Sequence, residues 1–232
     1  MNRASGYGPE GRGFKSFMTR HTKINRFMKK FAIHLDNIHD KFEFSMELPE
    51  PNTNIIVPVS GGIDSALLFY LLNYISCEYE LNLDIRPVTF MRDSFSLKYA
   101  QDVIDHVTQS LNLESRKIES VFISEPDVEK QVLQGMITII NQYPKHIIYM
   151  GLIKIQPEHA LHVPTFSIPD ESVYLKFPLR NLNKANVINL ICKLNQQHLL
   201  KITHSCVYER ECQKCNRCNE KRWALRENNL IQ

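Results

Sequence analysis

The stretch from Ile55 to Leu72 constrains the fold of this chain more than any other. It begins with an apolar, β-branched run of strand length, passes through a Ser-Gly-Gly turn, and continues as an apolar run of helical length. Adjacent glycines let the backbone approach an anion closely, and the N–H groups at a helix start point toward such an anion. The pattern therefore predicts a strand, a phosphate-binding loop and a helix.

The side chains of this loop are suited to the phosphates of a nucleotide. Ser60 and Ser65 offer hydroxyl donors, and Asp64 can hold a magnesium ion on the phosphates. No Gly-Lys-Ser or Gly-Lys-Thr follows, so the loop is not a Walker A loop. Ser-Gly-Gly-x-Asp-Ser resembles the PP-loop of the ATP pyrophosphatase superfamily, which implies cleavage of ATP between the α and β phosphates. The predicted ATP-binding residues are Val59, Ser60, Gly61, Gly62, Asp64, Ser65 and Phe90.

Apolar segments of strand and helix length alternate along the rest of the chain. The predicted strands after the loop helix cover residues 83–90, 115–123 and 146–150, and the predicted helices cover 99–111, 128–143 and 185–194. One more strand is predicted within 31–48. This order favours an α/β fold with an open parallel sheet, Rossmann-like, which the resemblance narrows to the adenine nucleotide alpha hydrolase-like type.

Ligands of open α/β sheets bind at the carboxyl ends of the strands. Ser60, Phe90 and Gly151 are all expected there. Residues 152–176 contain three prolines and little periodicity, so they are predicted to form a long loop over the site. Gly151, Lys154 and Glu158 are candidate contacts to the substrate because they follow a strand end.

Lys184 comes immediately before residue 185, where the predicted helix 185–194 begins, and is taken as part of the first turn of that helix. A cation there is unfavourable to the helix dipole unless it serves an anion. Lys184 is therefore a candidate phosphate ligand and, with Asp64 and Ser65, a candidate catalytic residue. The alternative is a solvated surface lysine.

Four of the six cysteines crowd the C-terminus with the spacing C-x5-C-x2-C-x2-C. Four thiolates in thirteen residues can surround one tetrahedral zinc, and four protein ligands make such a site closed and structural. The predicted metal ligands are Cys206, Cys212, Cys215 and Cys218. An iron–sulfur cluster and free thiols are the alternatives. Because no secretory signal is recognised, the cluster favours a reducing, cytoplasmic compartment.

Length, composition and net charge limit the functional classes to which this chain can belong. A chain of 232 residues with 43% hydrophobic residues can bury one core of ordinary size. No apolar run approaches the roughly 20 residues that a membrane helix needs, so no membrane partner is expected. A net charge of +3 is too small to indicate nucleic acid. The predicted organisation is an ATP-binding domain over 28–200 and a zinc-binding segment over 201–232.

Residues 1–27 are predicted to lie outside the folded domain. They are rich in glycine and basic residues, which is typical of a disordered arm. The alternative is that they are not translated in the cell. Residues 13–16, Gly-Phe-Lys-Ser, are the residues that the T-arm consensus of a transfer-RNA gene encodes in one reading frame. Translation would then begin at Met18 or Met28, and such a gene neighbourhood suits a phage or a compact bacterial genome.

Taken together, the PP-loop, the step from Phe177-Pro178-Leu179 to Lys184 and the terminal cysteine cluster resemble the QueC family of 7-cyano-7-deazaguanine synthases. The resemblance covers about residues 52–225. It implies a ligase that adenylates 7-carboxy-7-deazaguanine with ATP and magnesium, releases pyrophosphate, and uses ammonia and a second activation to form the nitrile in queuosine biosynthesis. It also implies that the cysteines hold zinc.

The substrate half of the chain departs from the family pattern. Residues 91–95 read Met-Arg-Asp-Ser-Phe where the family has a Tyr-Gly-Gln-Arg-His type of segment. Residues 152–159 read Leu-Ile-Lys-Ile-Gln-Pro-Glu-His where the family lines its deazaguanine pocket with a Gly-Tyr-Pro-Asp-Cys-Arg segment. A related enzyme with another acid or another acceptor amine, for example in a phage or a defence system, is therefore an alternative.

Two further hypotheses place the chain in other functional classes. A tRNA thiolase needs a reactive cysteine free of metal, and only Cys77 and Cys192 remain, both among apolar neighbours. A non-enzymatic zinc ribbon could bind nucleic acid through its basic residues, but glutamates interleave with them, which favours a mixed-charge helix. The expected partners are thus a small carboxylate and ammonia or another amine, with a second copy of the chain as a candidate dimer partner and no direct nucleic-acid contact.

Overall fold

The computed structural model of the protein describes residues 30–36, 41–91, 94–122, 128–154, 172, 174–206 and 208–231. The N-terminal stretch 1–27 and Glu158 lie outside these residues. In chain order the elements are β1 (Lys30–Asp36), β2 (Lys41–Glu47), β3 (Asn54–Pro58), α1 (Ile63–Glu78), β4 (Asp84–Met91), α2 (Ser94–Ser110), β5 (Glu119–Phe122), α3 (Val128–Gln142), β6 (Ile147–Tyr149), β7 (Leu175–Lys176), α4 (Lys184–Lys193), α5 (Leu199–Ile202) and α6 (Asn216–Glu227).

Five of the strands form one sheet in the order β5-β4-β3-β6-β7, and every neighbouring pair is parallel. The central strand β3 is apolar throughout its middle because both faces of the sheet are covered, and Ile55, Ile56 and Val57 are fully buried. The predicted α/β fold with an open parallel sheet is confirmed.

Helices cover the sheet on both faces. Ile55 and Val57 of β3 face a core cluster that includes residues of α1, α2 and α4, whereas Ile56 faces a second cluster with Ile139 of α3. The helix α1 is buried over most of its length, which explains why its sequence is apolar all round rather than on one stripe. None of the helices in the described ranges has both the length and the apolar composition needed to cross a membrane.

A separate antiparallel hairpin, β1 with β2, precedes the main sheet. Only one strand was predicted here, and the structure has two. In β1 the residues Phe31, Ile33 and Leu35 alternate with more exposed positions, so one face of the hairpin joins the core. The ring of Phe31 meets the ring of Tyr74 of α1 edge-on, with 6.1 Å between centroids.

Two element boundaries differ from the prediction by four residues or more. Helix α2 begins at Ser94 rather than residue 99, and strand β5 begins at Glu119 rather than residue 115. The two-residue strand β7 lies inside the predicted loop 152–176, where Met150 donates its N–H to the carbonyl of Lys176 at 2.9 Å. Two residues carry no periodicity, so the pattern could not reveal this strand. The predicted domain boundary near residue 200 falls inside α5.

Gly135 of α3 generates a testable prediction about packing. A Cβ atom there would lie 2.5 Å from the ring of Phe90. Alanine in an unhindered helix interior stabilises by roughly 0.5–1 kcal/mol relative to glycine, whereas overpacking costs about 1–3 kcal/mol. Gly135→Ala is therefore expected to lower the free energy of unfolding, as measured by urea denaturation followed by circular dichroism.

The exposed neighbour Gln134 provides the control for this substitution. Gln134→Ala should change the free energy of unfolding by less than about 0.5 kcal/mol. A Gly135→Ala protein as stable as the unmutated one would contradict the packing described for Phe90.

Candidate nucleotide site and metal centre

The predicted phosphate loop, residues 60–62, connects the carboxyl end of β3 to α1. β3 lies between β4 and β6, and the chain leaves β3 toward β4 but leaves β6 toward β7. The crevice outside the carboxyl ends of β3 and β6 is thus the topological switch point, where ligands of open α/β sheets bind.

Hydrogen bonds between its own residues give the loop its shape. The N–H of Ser60 donates to Oγ of Ser65 at 3.1 Å, and the hydroxyl of Ser65 donates to the carbonyl of Gly62 at 3.1 Å. The N–H of Gly62 donates to Oγ of Ser60 at 3.3 Å, and the two serine oxygens lie 3.1 Å apart. Both serines therefore hold the loop in a defined conformation.

Glycine is required at the apex of the loop. Gly61 has φ +77°, in the left-handed region, and a Cβ atom there would lie 2.6 Å from Cβ of Tyr99 in α2. The next residue, Gly62, is the N-cap of α1 and has no side chain to satisfy the first N–H groups of the helix. At the start of α4, by contrast, Asn183 accepts a hydrogen bond from the N–H of Asn186 at 2.9 Å. The start of α1 is thus suited to an external anion.

Gly151, at the end of β6, lies against the start of α1. A Cβ atom at Gly151 would lie 2.9 Å from both the carbonyl oxygen of Asp64 and the nitrogen of Ser65. Only glycine permits this approach, and it closes one side of the crevice. Lys154 is exposed, and its N–H donates to the carbonyl of Leu182 at 2.8 Å, which ties this segment to the approach to α4.

The other two predicted ATP-binding residues lie away from the apex of the loop. Val59 is fully buried, and its N–H donates to the carbonyl of Val88 at 2.7 Å. The ring of Phe90 packs in the second core cluster beneath α3.

Lys184 and Asp64, 120 residues apart in sequence, meet at the start of α1. Nζ of Lys184 lies 2.5 Å from Oδ2 of Asp64 and 4.0 Å from Oε2 of Glu220. Lys184 is only 5% exposed, so the cation in the first turn of α4 is not a solvated surface lysine. Two carboxylates compensate its charge there.

The carboxylate of Asp64 retains an unused acceptor. Its Oδ1 atom is buried and has no hydrogen-bond partner among the described residues. A buried carboxylate oxygen without a partner is costly, and carboxylate oxygens are the ligands that magnesium prefers. The atom therefore fits a magnesium ion bound together with the phosphates of a nucleotide.

The segment before the cysteine cluster packs onto the phosphate loop. The N–H of His204 donates to the carbonyl of Gly61 at 2.9 Å. The imidazole of His204 stacks on the ring of Tyr99, with 4.4 Å between centroids and 8° between planes. The hydroxyl of Tyr99 donates to the carbonyl of Glu209 at 3.2 Å. Sequence reasoning missed Tyr99 and Glu220, since neither belongs to a motif.

The four cysteines predicted to bind metal come together. Their sulfur atoms all lie within 4.8 Å of one another, and Sγ of Cys206 lies 3.9 Å from Sγ of Cys215. Four sulfurs about 2.3 Å from one zinc stand about 3.8 Å apart. An iron–sulfur cluster would spread the thiolates over several irons and separate them further. The spacing of the sulfurs therefore fits a single tetrahedral metal.

Backbone N–H groups point at the sulfurs, as expected where thiolates carry charge. Cys212 donates its N–H to Sγ of Cys206 at 3.4 Å, and Cys215 donates its N–H to Sγ of Cys212 at 3.3 Å. Backbone hydrogen bonds from Lys214 and Cys215 lower the pKa of Cys212 to about 6, whereas burial raises the pKa of Cys218 to about 12. A metal would have to displace the proton of Cys218.

Cys77 and Cys192 have the opposite environment from Cys212. Cys192 is half-buried and Cys77 is exposed, but partial desolvation raises the pKa of each thiol above its usual value, which makes both poor nucleophiles. This disfavours a sulfur-transfer role for these two cysteines.

One family of known proteins matches part of the chain. Residues 156–229 match the family model of the queuosine biosynthesis protein QueC. This confirms the resemblance to that family over the part of the chain that carries Lys184 and the four cysteines, whereas the phosphate loop lies outside the match. No curated protein matches the chain.

Several solved structures are similar to the chain at low identity. PH1313 from Pyrococcus horikoshii Ot3 is 14% identical with a TM-score of 0.37; the match covers 67% of this chain but only 47% of that one. The U34-tRNA thiolase NcsA from Methanococcus maripaludis, with its [4Fe-4S] cluster, is 15% identical with a TM-score of 0.39, covering 79% and 75%. The NAD+ synthetase from Burkholderia pseudomallei is 11% identical with a TM-score of 0.40, covering 77% and 80%.

The cysteine cluster yields a prediction about metal content. Protein purified with zinc should carry about one zinc per chain, and Cys218→Ser should lose most of it, because three thiolates hold zinc less tightly than four. Inductively coupled plasma mass spectrometry of the two proteins measures this directly. Cys192→Ser, outside the cluster, should keep its zinc. Stoichiometric iron with a visible charge-transfer band would show instead that the site holds an iron–sulfur cluster.

Proposed function

We propose that this protein is an ATP-dependent ligase that adenylates a carboxylate, releases pyrophosphate, and then forms a C–N bond. The proposed substrates are 7-carboxy-7-deazaguanine and ammonia, and the product is 7-cyano-7-deazaguanine. The observation that carries the proposal is the contact between Lys184 and Asp64 at the start of α1, 2.5 Å long. It joins the phosphate loop to the part of the chain that matches the QueC family.

The loop and the start of α1 supply the proposed phosphate site. The first N–H groups of α1 are available to an anion, and Ser60 and Ser65 can exchange their mutual hydrogen bonds for phosphate oxygens. Oδ1 of Asp64 would hold a magnesium ion, which neutralises phosphate charge and orients the leaving pyrophosphate. Val59 and Phe90 are proposed to support this site from the ends of their strands.

Lys184 is proposed to stabilise charge during phosphoryl chemistry. A substrate carboxylate oxygen forms a bond to the α-phosphorus of ATP, and the bond between that phosphorus and the bridging oxygen breaks, so pyrophosphate leaves. Negative charge grows on the α-phosphate and on the leaving group as this happens. An ammonium ion that is buried and already positioned stabilises that charge more than a solvated one would.

The acyl adenylate accounts for the rest of the reaction. Ammonia attacks the activated carbonyl carbon and AMP leaves, which gives the primary amide. The amide oxygen then forms a bond to the α-phosphorus of a second ATP, a second pyrophosphate leaves, and loss of two protons and AMP gives the nitrile. Gly151, Lys154 and Glu158 remain the proposed contacts to the acid, because Gly151 lies against Asp64 and Ser65.

The metal is proposed to be structural. Four protein thiolates would fill the coordination sphere of a tetrahedral zinc and leave no position for substrate. Its contribution would be to hold the segment that contacts Gly61 through His204 and to fix the start of α6 at Cys215 and Cys218.

Pyrophosphate release tests the proposal. The unmutated protein, with magnesium, ATP, ammonium and 7-carboxy-7-deazaguanine, is expected to release pyrophosphate and to give the nitrile by mass spectrometry. Asp64→Asn keeps the shape of the side chain but removes its charge, so it should lower the rate about 100-fold or more.

A matched control is Asp102→Asn, which removes an exposed carboxylate paired with Lys98 on α2 and should leave the rate unchanged. Pyrophosphate release that is the same in Asp64→Asn would exclude this site. No release with the deazaguanine acid, but release with another carboxylate, would replace the substrate and keep the chemistry.

A further inference from the structure

Lys184 lies near two carboxylates that come from distant parts of the chain. Asp64 is at the start of α1, and Glu220 is on α6, two residues after a cysteine of the cluster. The side chains are 6% exposed for Lys184, 23% for Asp64 and 12% for Glu220. In such a poorly hydrated setting both negative charges act strongly on the ammonium.

The two carboxylates have different relations to the proposed chemistry. Asp64 also offers Oδ1 to a magnesium ion, and a bound cation would weaken its attraction for Lys184. Oε2 of Glu220 lies 4.0 Å from Nζ of Lys184, at ion-pair distance. It can therefore retain the ammonium when Asp64 engages a cation.

Helix α6 is built to keep Glu220 at this distance. Its N-terminal end begins in the cysteine cluster, where Cys215 is the N-cap. Beyond its C-terminal end, the side chain of Asn228 donates to the carbonyl of Ala185 at 3.0 Å and accepts from the side chain of Asn189 at 2.9 Å. The helix is therefore held by the cysteine cluster before Glu220 and by α4, which carries Lys184, after it.

Lys221 adds a separate link between α6 and the cluster. Its ammonium lies 2.6 Å from Oε1 of Glu211, next to Cys212. Lys221 thus pairs with Glu211, whereas Nζ of Lys184 lies within ion-pair distance of Glu220.

We propose that Glu220 is a positioning residue that holds the ammonium of Lys184 at the phosphate site while Asp64 binds the cation. The inference deepens the function proposed above and rests on it. It assigns to the metal-bearing segment a direct electrostatic contribution to the nucleotide site.

A double-substitution experiment tests this inference. Glu220→Gln is expected to lower the rate of pyrophosphate release about tenfold in the unmutated background, but less than twofold in a Lys184→Met background, because Glu220 acts only through Lys184. Glu227→Gln removes the same charge from the same helix two turns further on and should change the rate less than twofold in both backgrounds. Zinc content should stay the same in every variant.

Two measurements keep the test decisive. Glu220→Asp retains the charge and should keep more activity than Glu220→Gln; equal losses would overturn the inference even if Lys184→Met does not fold. Equal losses from Glu220→Gln in both backgrounds would also overturn it. If the unmutated protein releases no pyrophosphate with any acid, the proposed function fails. The urea unfolding midpoints of the Glu220→Gln, Lys184→Met and double variants then test the contact between the two residues. Additive shifts of the midpoint exclude the contact, and non-additive shifts support it.

Discussion

The rest of the site depends on the ion pair between Lys184 and Asp64. Its atoms are 2.5 Å apart, and the lysine is almost completely buried. Burying an ammonium is costly, and breaking such a pair by removing one partner typically costs about 3–5 kcal/mol. A hydrophobic pair could give similar stability without that cost, so the buried charges are better explained by chemistry than by stability. Lys184 also lies in the first turn of α4, where the helix dipole disfavours a cation. This position too is better explained by chemistry than by stability.

Close backbone approach makes this arrangement possible. Gly151 lets the end of β6 touch the start of α1, and Gly61 lets the loop touch α2. Neither contact leaves room for a Cβ atom. The phosphate loop therefore lies against α2, and the first N–H groups of α1 lie at the switch point of the sheet.

Local patterns predicted much of this structure. The apolar run of β3, the two glycines and the apolar helix α1 are contiguous, so the strand, the loop and the helix follow from neighbouring residues. The cysteines lie within thirteen residues, and their spacing alone predicted that they share one centre. Lys184 was a candidate because its charge conflicts with its position in a helix.

Other features depend on contacts that a single sequence does not encode locally. Glu220 is one of several glutamates in a mixed-charge helix, and only the packing of α6 against α4 distinguishes it. Tyr99 is one aromatic residue among many until His204 stacks on it. β7 is a strand only because β6 offers it an edge. The first strand of the hairpin, β1, was not predicted.

The hydrogen bond from His204 to Gly61 has a consequence for how the molecule is assembled. The loop belongs to the first third of the chain, but the group that closes it is near the end. During synthesis the sheet can form around β3 and β4 while this neighbour is still missing. The proposed nucleotide site therefore cannot be complete until residue 204 has left the ribosome.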